Sequence, residues 1–163
     1  MSVKQGSQKK SIYGRRRYWY HVSTTLRGKK LKLVPWDSTH DKAFNRSEDE
    51  PNGKRICVSP SIEQCITAIP YDLYCRINIY RTKSPVRASK PRRIFDAKVT
   101  HEGWLHKPTT FIKIGSLNFE KVAKKLGIEH VAIEQATTDN TQAQRDVLRW
   151  WRKSRIRRFI NCA

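Results

Sequence analysis

Acidic residues are scarce in this chain, and none precedes Asp37. Only 14 Asp and Glu stand against 34 Lys and Arg, which leaves a formal charge of +20 on 163 residues. Apolar runs are short. None approaches the roughly 18 residues that cross a bilayer, which excludes a helical membrane protein. The opening stretch Met1–Lys10 is polar and lacks the apolar centre of a secretory signal. Cys57, Cys65, Cys75 and Cys162 include no C-x-x-C pair, so neither a zinc site nor a disulfide framework is expected. They read as reduced thiols in a cytoplasmic protein. There is no GxGxxG and no P-loop. Apolar residues make up only 37% of the chain, but an aromatic content of 10% with five Trp is too high for a wholly disordered one.

What is present is positive charge, unevenly placed. Lys4, Lys9, Lys10, Arg15, Arg16, Arg17, Arg27, Lys29, Lys30 and Lys32 crowd the first part of the chain. Arg87, Lys90, Arg92 and Arg93 lie mid-chain among prolines. Arg145, Arg149, Arg152, Lys153, Arg155, Arg157 and Arg158 crowd the end. Such a surplus repels itself and calls for a polyanionic partner, a nucleic acid or nucleoprotein. A merely solvated face would show a local imbalance, whereas this one is global. An interfacial membrane helix would share the Trp150, Trp151, Ile156, Phe159 and Ile160 found among the last arginines. The spread of cations over the whole chain argues against it, so no membrane partner is expected. The residues expected on nucleic acid are Arg15, Arg16, Arg17, Arg92, Arg93, Arg149, Arg152, Lys153, Arg155, Arg157 and Arg158.

Patterning predicts a basic tail over 1–16, an α+β domain over 17–136 and a basic helix in 137–163. Strands are expected at Arg17–Thr24, Lys29–Val34, Arg55–Ser59, Leu73–Arg81, Arg93–Thr100 and Thr109–Ile114, with a last one at Val131–Glu134. Asp37–Lys54 reads as a long surface loop. Ser59-Pro60 reads as a helix N-cap and first residue, followed by an apolar stripe at Ile62, Cys65, Ile66 and Ile69. Phe119–Leu126 reads as a helix closed by Gly127, and Thr141–Ile160 as a basic helix. Its Trp pair either packs the helix onto the domain, the favoured reading, or stacks on bases.

Three positions hold groups with chemical potential. His21 and Ser23 alternate on a strand and therefore share a face. Ser59 stands where a strand becomes a helix, a place suited to anions. Glu102, followed by Gly103 and Trp104, offers a carboxylate to a developing cation. Each also has a structural explanation: a satisfied strand histidine, an N-cap, a carboxylate balancing Lys98, His101 or Lys107. A two-histidine phosphoesterase would need a second H-x-S/T, and His130-Val131-Ala132 lacks the hydroxyl.

In order, the motifs Tyr20-His21-Val22-Ser23, Ile56-Cys57-Val58-Ser59 and Val99-Thr100-His101-Glu102-Gly103-Trp104 resemble the compact ADP-ribosyltransferase superfamily, especially the small rifampin ADP-ribosyltransferase type. The resemblance covers about residues 18–115 and rests on short patterns. It implies an α+β fold with a split mixed sheet of about six strands, one early helix and C-terminal helices. It implies NAD as substrate, bound by His21, Ser23, Ser59 and Trp104, with His21 and Glu102 catalytic. Cys57 stands near the place of the family's stacking Tyr, and Val22 replaces its usual Gly. Tyr71, Tyr74 and Tyr80 are alternative sources of a ring. The expected activity is ADP-ribose transfer from NAD to a nucleic acid or a nucleic-acid-associated protein. The alternative is a non-catalytic basic protein that binds nucleic acid and blocks or mimics another factor.

Overall fold

The structure, a computed structural model, describes residues 11–37, 53–68, 76–92, 97–127 and 141–162. Several expectations fall outside them: most of the basic tail, Arg93, the bulk of the Asp37–Lys54 loop, Tyr71, Tyr74 and the strand at Val131–Glu134. The fold is α+β, and the described residues form two antiparallel sheets. The larger runs β1 (Tyr20–Ser23), β5 (Arg76–Thr82), β7 (Thr109–Asn118), β2 (Lys30–Leu33), with β8 (Asn161–Cys162) also on β7. The smaller runs β3 (Trp36–Asp37), β4 (Lys54–Val58), β6 (Gly103–Leu105). A mixed sheet was expected, but every ladder among the described residues is antiparallel, because the chain reverses direction between each pair of partners.

Strand alternation sorts the side chains into two cores. Val22, Ile77, Ile79 and Leu117 face the helices, where they meet Ile62, Cys65, Ile66, Phe119, Val122, Trp151 and Ile156. Trp19, Tyr80 and Phe111 face the smaller sheet and meet Ile56, Val58 and Leu105. Leu117 and Phe111 are an even number of residues apart on one strand, yet they serve opposite cores. The register shift beside Ile79/Tyr80 explains this. Ile79 pairs with Gly115 and Tyr80 with Lys113, so Ile114 is an extra residue that reverses the facing of all that precede it on β7.

Among the described residues the α-helices are α1 (Ile62–Thr67), α2 (Ala97–Thr100), α3 (Phe119–Leu126) and α4 (Thr141–Lys153). Three expectations are corrected. The N-cap of α1 is Ser61, whose hydroxyl accepts from Gln64 N–H at 3.2 Å. Ser59 cannot fill that role because its backbone is paired both ways with Tyr20, at 2.9 and 3.0 Å. The expected strand Arg93–Thr100 is, at Ala97–Thr100, a helical turn. Val99 and Thr100 are buried there, and Val99 O accepts from Gln64 Nε2 at 3.2 Å, so tertiary contact overrides β propensity. The terminal helix stops at Lys153 rather than Ile160. Arg155 is left-handed (φ 53°), a 3-10 turn Ile156–Phe159 follows, and the chain returns to the sheet as β8.

The end of the chain is therefore built into the body. Gln144, Leu148 and Trp151 form the buried stripe of α4, and the Trp151 ring lies 5.8 Å from Phe119. Gly115 allows the return: a Cβ there would stand 2.4 Å from Ile160 Cγ2 and 2.6 Å from Asn161 O. A two-pronged ion pair adds to this anchoring. Arg157 Nε and Nη2 donate to the Glu63 carboxylate at 2.6 and 2.8 Å, across 94 residues. Burial, the largest single influence, would raise the Glu63 carboxyl, but the Arg157 hydrogen bonds, a backbone hydrogen bond and the charges of Arg157 and Arg152 together outweigh it and hold the group below its ordinary value. A depressed carboxyl stabilises the fold above its unfolded value and loses that contribution in acid. Glu63→Gln should therefore cost about 2 kcal/mol at pH 7. In urea titrations the gap from the parent should shrink as pH falls below 4.5, the ordinary glutamate value. A gap independent of pH would show that the pair does not stabilise the fold.

Candidate active site and basic face

The candidate site is assembled around β4. Alternation on β4 turns Ile56 and Val58 into the core and leaves Arg55 and Cys57 on the other face. Cys57 pairs directly with Trp104 on β6, and Val58 with Gly103. Glu102 lies two residues before Trp104 and shares its face, so the indole Nε1 donates to Glu102 Oε1 at 2.8 Å. The Arg55 guanidinium covers the Trp104 ring at 4.4 Å from its centroid. Arg55, Cys57, Glu102 and Trp104 thus form one cluster, with Cys57 half-buried and the other three buried. The Cys57 thiol is pushed up by burial first and by the Glu102 carboxylate second, against a smaller opposing pull from Arg55. Cys65, on α1, is likewise pushed up to about 12 by burial and Glu102.

Glu102 is placed by the residues on either side of it. His101 is left-handed (φ 50°) and closes α2 through its N–H to Ala97 O at 3.1 Å. Its Nδ1 meets Gln64 Nε2 at 2.8 Å. Gly103 must be glycine, since a Cβ would lie 2.9 Å from Ala88 Cβ and 3.0 Å from the Trp19 ring. The Tyr13 hydroxyl donates to Glu102 O at 2.9 Å.

His21 approaches β4 from the other sheet. On β1 its side shares a face with Trp19, and its ring lies 5.9 Å from Phe111. Its Nδ1 is 2.9 Å from Cys57 O. A carbonyl only accepts, so Nδ1 carries the proton and Nε2 is the accepting nitrogen of the neutral ring. Burial lowers its pKa more than this hydrogen bond raises it, so the neutral form is favoured near pH 7. Two sequence-predicted residues, His21 and Glu102, are thus joined through one residue: His21 touches the Cys57 backbone, and Glu102 faces its thiol.

The other predicted ligands lie differently. The Ser23 hydroxyl accepts from Thr25 N–H at 3.2 Å and Leu26 N–H at 3.0 Å, forming a local turn. Ser59 is 1% exposed and faces Cys65. Tyr80 lies in the core, its hydroxyl directed to Leu26 O and Gly28 O. Sequence reasoning missed Tyr13 and Arg55. Tyr13 was assigned to the tail. The signal for Arg55 was its two-residue spacing from Cys57 in a predicted strand, which places both on one face.

The basic stretches also meet. Arg17 and Val86 exchange backbone hydrogen bonds at 3.1 and 2.9 Å, and Gly14 N–H donates to Ala88 O at 3.3 Å. This pairing lays exposed Arg15 and Arg16 beside exposed Arg87. Arg17 stacks on Trp19 at 5.5 Å. His101 is lowered by burial first, then by the charges of Arg152 and Arg17. Arg149, Arg152, Lys153, Arg155 and Arg158 are exposed. Arg149 pairs with Asp146 at 3.0 Å, and Arg157 is committed to Glu63. Among the described residues no three His, Cys, Asp or Glu group as metal ligands, and no helix is long and apolar enough to cross a membrane. No family model, curated protein or solved structure matches this chain.

The Cys57–Glu102 contact has a chemical readout. On the native protein at pH 8, iodoacetamide should label Cys57 and Cys65 slowly, because the thiolate is the reacting form. Glu102→Gln removes the negative charge and should speed Cys57 labelling several-fold by peptide mass spectrometry. An unchanged rate would mean that the carboxylate does not act on the thiol.

Proposed function

We propose that the chain transfers ADP-ribose from NAD to a nucleic acid or a nucleic-acid-associated protein, on an ADP-ribosyltransferase-like fold. The observation that carries this reading is the convergence of three separated motifs on one strand, with His21 at the Cys57 carbonyl on the core side of β4 and Glu102 by the Cys57 thiol on the opposite face. His21 is suited to a ribose hydroxyl: its Nδ1–H is occupied by Cys57 O, so Nε2 accepts the hydroxyl proton. The Glu102 carboxylate, held by Trp104 in a protected setting, supplies negative charge where the ribose becomes cationic as nicotinamide departs. Low exposure strengthens that charge, since less water screens it. NAD supplies the activated glycosidic bond, and the chain supplies orientation and charge. Tyr13, at the Glu102 backbone, brings an aromatic ring into the region where the resemblance lacks one at Cys57.

The meeting of the basic stretches favours a second reading, in which the chain binds nucleic acid without catalysis. It requires no cleft chemistry, and the cations near His101 and Val86 are its support.

Two measurements separate these readings. Incubated with labelled NAD and cell extract, the native protein should place label in macromolecules. Glu102→Gln, with unchanged circular dichroism, should lower the rate by about a hundredfold. Absence of label with the native protein would remove the enzyme reading. Separately, binding to duplex DNA should weaken with salt at a log–log slope near −5, the value for about six neutralised phosphates. Salt-independent affinity, or none in dilute buffer, would remove the nucleic-acid partner from both readings.

A further inference from the structure

Beside the candidate site, and sharing Trp104 with it, lies an open groove of about 650 Å³, lined by Ser89, Lys90, Pro91, Arg92, Trp104 and His106. Its volume is in the range of sites that hold a small molecule or one unit of a polymer. Its walls are fixed. Ser89 and Trp104 exchange backbone hydrogen bonds, both at 3.0 Å. Ser89 Oγ lies 2.8 Å from His106 Nε2, which orients the exposed imidazole. His106 stands edge-on to Trp104, with ring centroids 6.4 Å apart at 87°. Lys90 and Arg92 are exposed at the rim, and Pro91 is buried between them. Apolar and aromatic walls with cations on the rim suit a flat base whose phosphates run past the edge.

We propose that this groove receives a base of single-stranded nucleic acid, packed against His106 and Trp104, with Lys90 and Arg92 on the flanking phosphates. The inference rests on the nucleic-acid part of the reading above and names the form of the partner. A base in a duplex is stacked and paired, and only an unpaired one can enter a concave aromatic site. The segment leading into the groove supports the same direction. Arg87 lies just before Ser89, and Arg15 and Arg16 run beside it through the Gly14–Ala88 and Arg17–Val86 pairing. The backbone of an entering strand therefore has a line of cations to follow.

The test is fluorescence anisotropy with three labelled probes: a thymidine oligonucleotide, the same strand with abasic sites, and a duplex of equal length. The native protein should bind the thymidine strand about tenfold more tightly than the abasic strand. It should also prefer that strand to the duplex. His106→Ala should reduce the thymidine-to-abasic ratio to about twofold or less. His106→Gln, which keeps a partner for Ser89 but removes the ring, should do the same and guards against a folding artefact. The double change Lys90→Ala and Arg92→Ala should weaken both single strands together. Tight, salt-sensitive binding with no base effect, or equal affinity for the duplex, overturns the groove while leaving nucleic-acid binding intact. Absence of binding to all three probes in dilute buffer overturns both.

Discussion

Two backbone hydrogen bonds, Tyr20 N–H to Ser59 O and Ser59 N–H to Tyr20 O, join the end of β1 in the larger sheet to the end of β4 in the smaller one. Much of the site's position follows from this join. It holds β1 beside β4, so the inward ring of His21 reaches Cys57 O. It fixes where the chain leaves β4, and hence where α1 begins at its Ser61 cap. From there Gln64 bonds to Val99 O and His101, the residues that precede Glu102. Glu63, one position earlier, bonds to Arg157 and brings back the end of the chain. Four stretches distant in sequence are tied together through a six-residue helix whose placement depends on that join.

The charge surplus constrains the same region. A body of net charge +20 gains nothing electrostatic by collecting its cations, since each added neighbour increases repulsion. Screening in salt weakens this repulsion at the surface without abolishing it. Here pairing lays the Arg15–Arg17 segment beside Arg87, and α4 brings Arg152 within the field of His101. Only Arg149 and Arg157 among the terminal cations have a carboxylate partner in the described residues. Backbone pairing and the burial of Trp151 hold the arrangement against its own repulsion. Truncating a buried ring of that size usually costs about 3–5 kcal/mol, more than exposed pairs contribute at about 0–1 kcal/mol. A polyanion would relieve what packing only tolerates.

What could be read from the sequence divides along the range of the forces involved. Local patterns served well where local forces decide. The alternation at Lys30–Leu33 is a strand, Phe119–Leu126 is a helix, and Gly127 has the positive φ (65°) of a C-terminal glycine. They failed where a distant partner decides. Arg93–Thr100 looked like a strand because Val99 and Thr100 favour one, but α1 captures that segment as a helical turn. Ser59-Pro60 looked like a cap because nothing in the sequence says that Tyr20 has claimed Ser59. At the site, His21 and Glu102 were legible as residue types in motifs. Tyr13 was not, because its contact with Glu102 spans 89 residues. The bulge at Ile114 was equally hidden, although it sends Leu117 and Phe111 to different cores.

Trp104 bears on how catalysis and binding would be related. Its indole nitrogen donates to Glu102, its ring carries the Arg55 guanidinium, and together with His106 it lines the groove. A group seated in the groove would press on the side chain that orients the carboxylate. If the chain is an enzyme, an acceptor in the groove would lie one side chain, Trp104, from the Glu102 carboxylate. If it only binds, the same contacts stiffen a platform, and Glu102 serves to fix Trp104. The two readings differ in which way the Trp104–Glu102 hydrogen bond is used, so removing the carboxylate while keeping the indole distinguishes them physically.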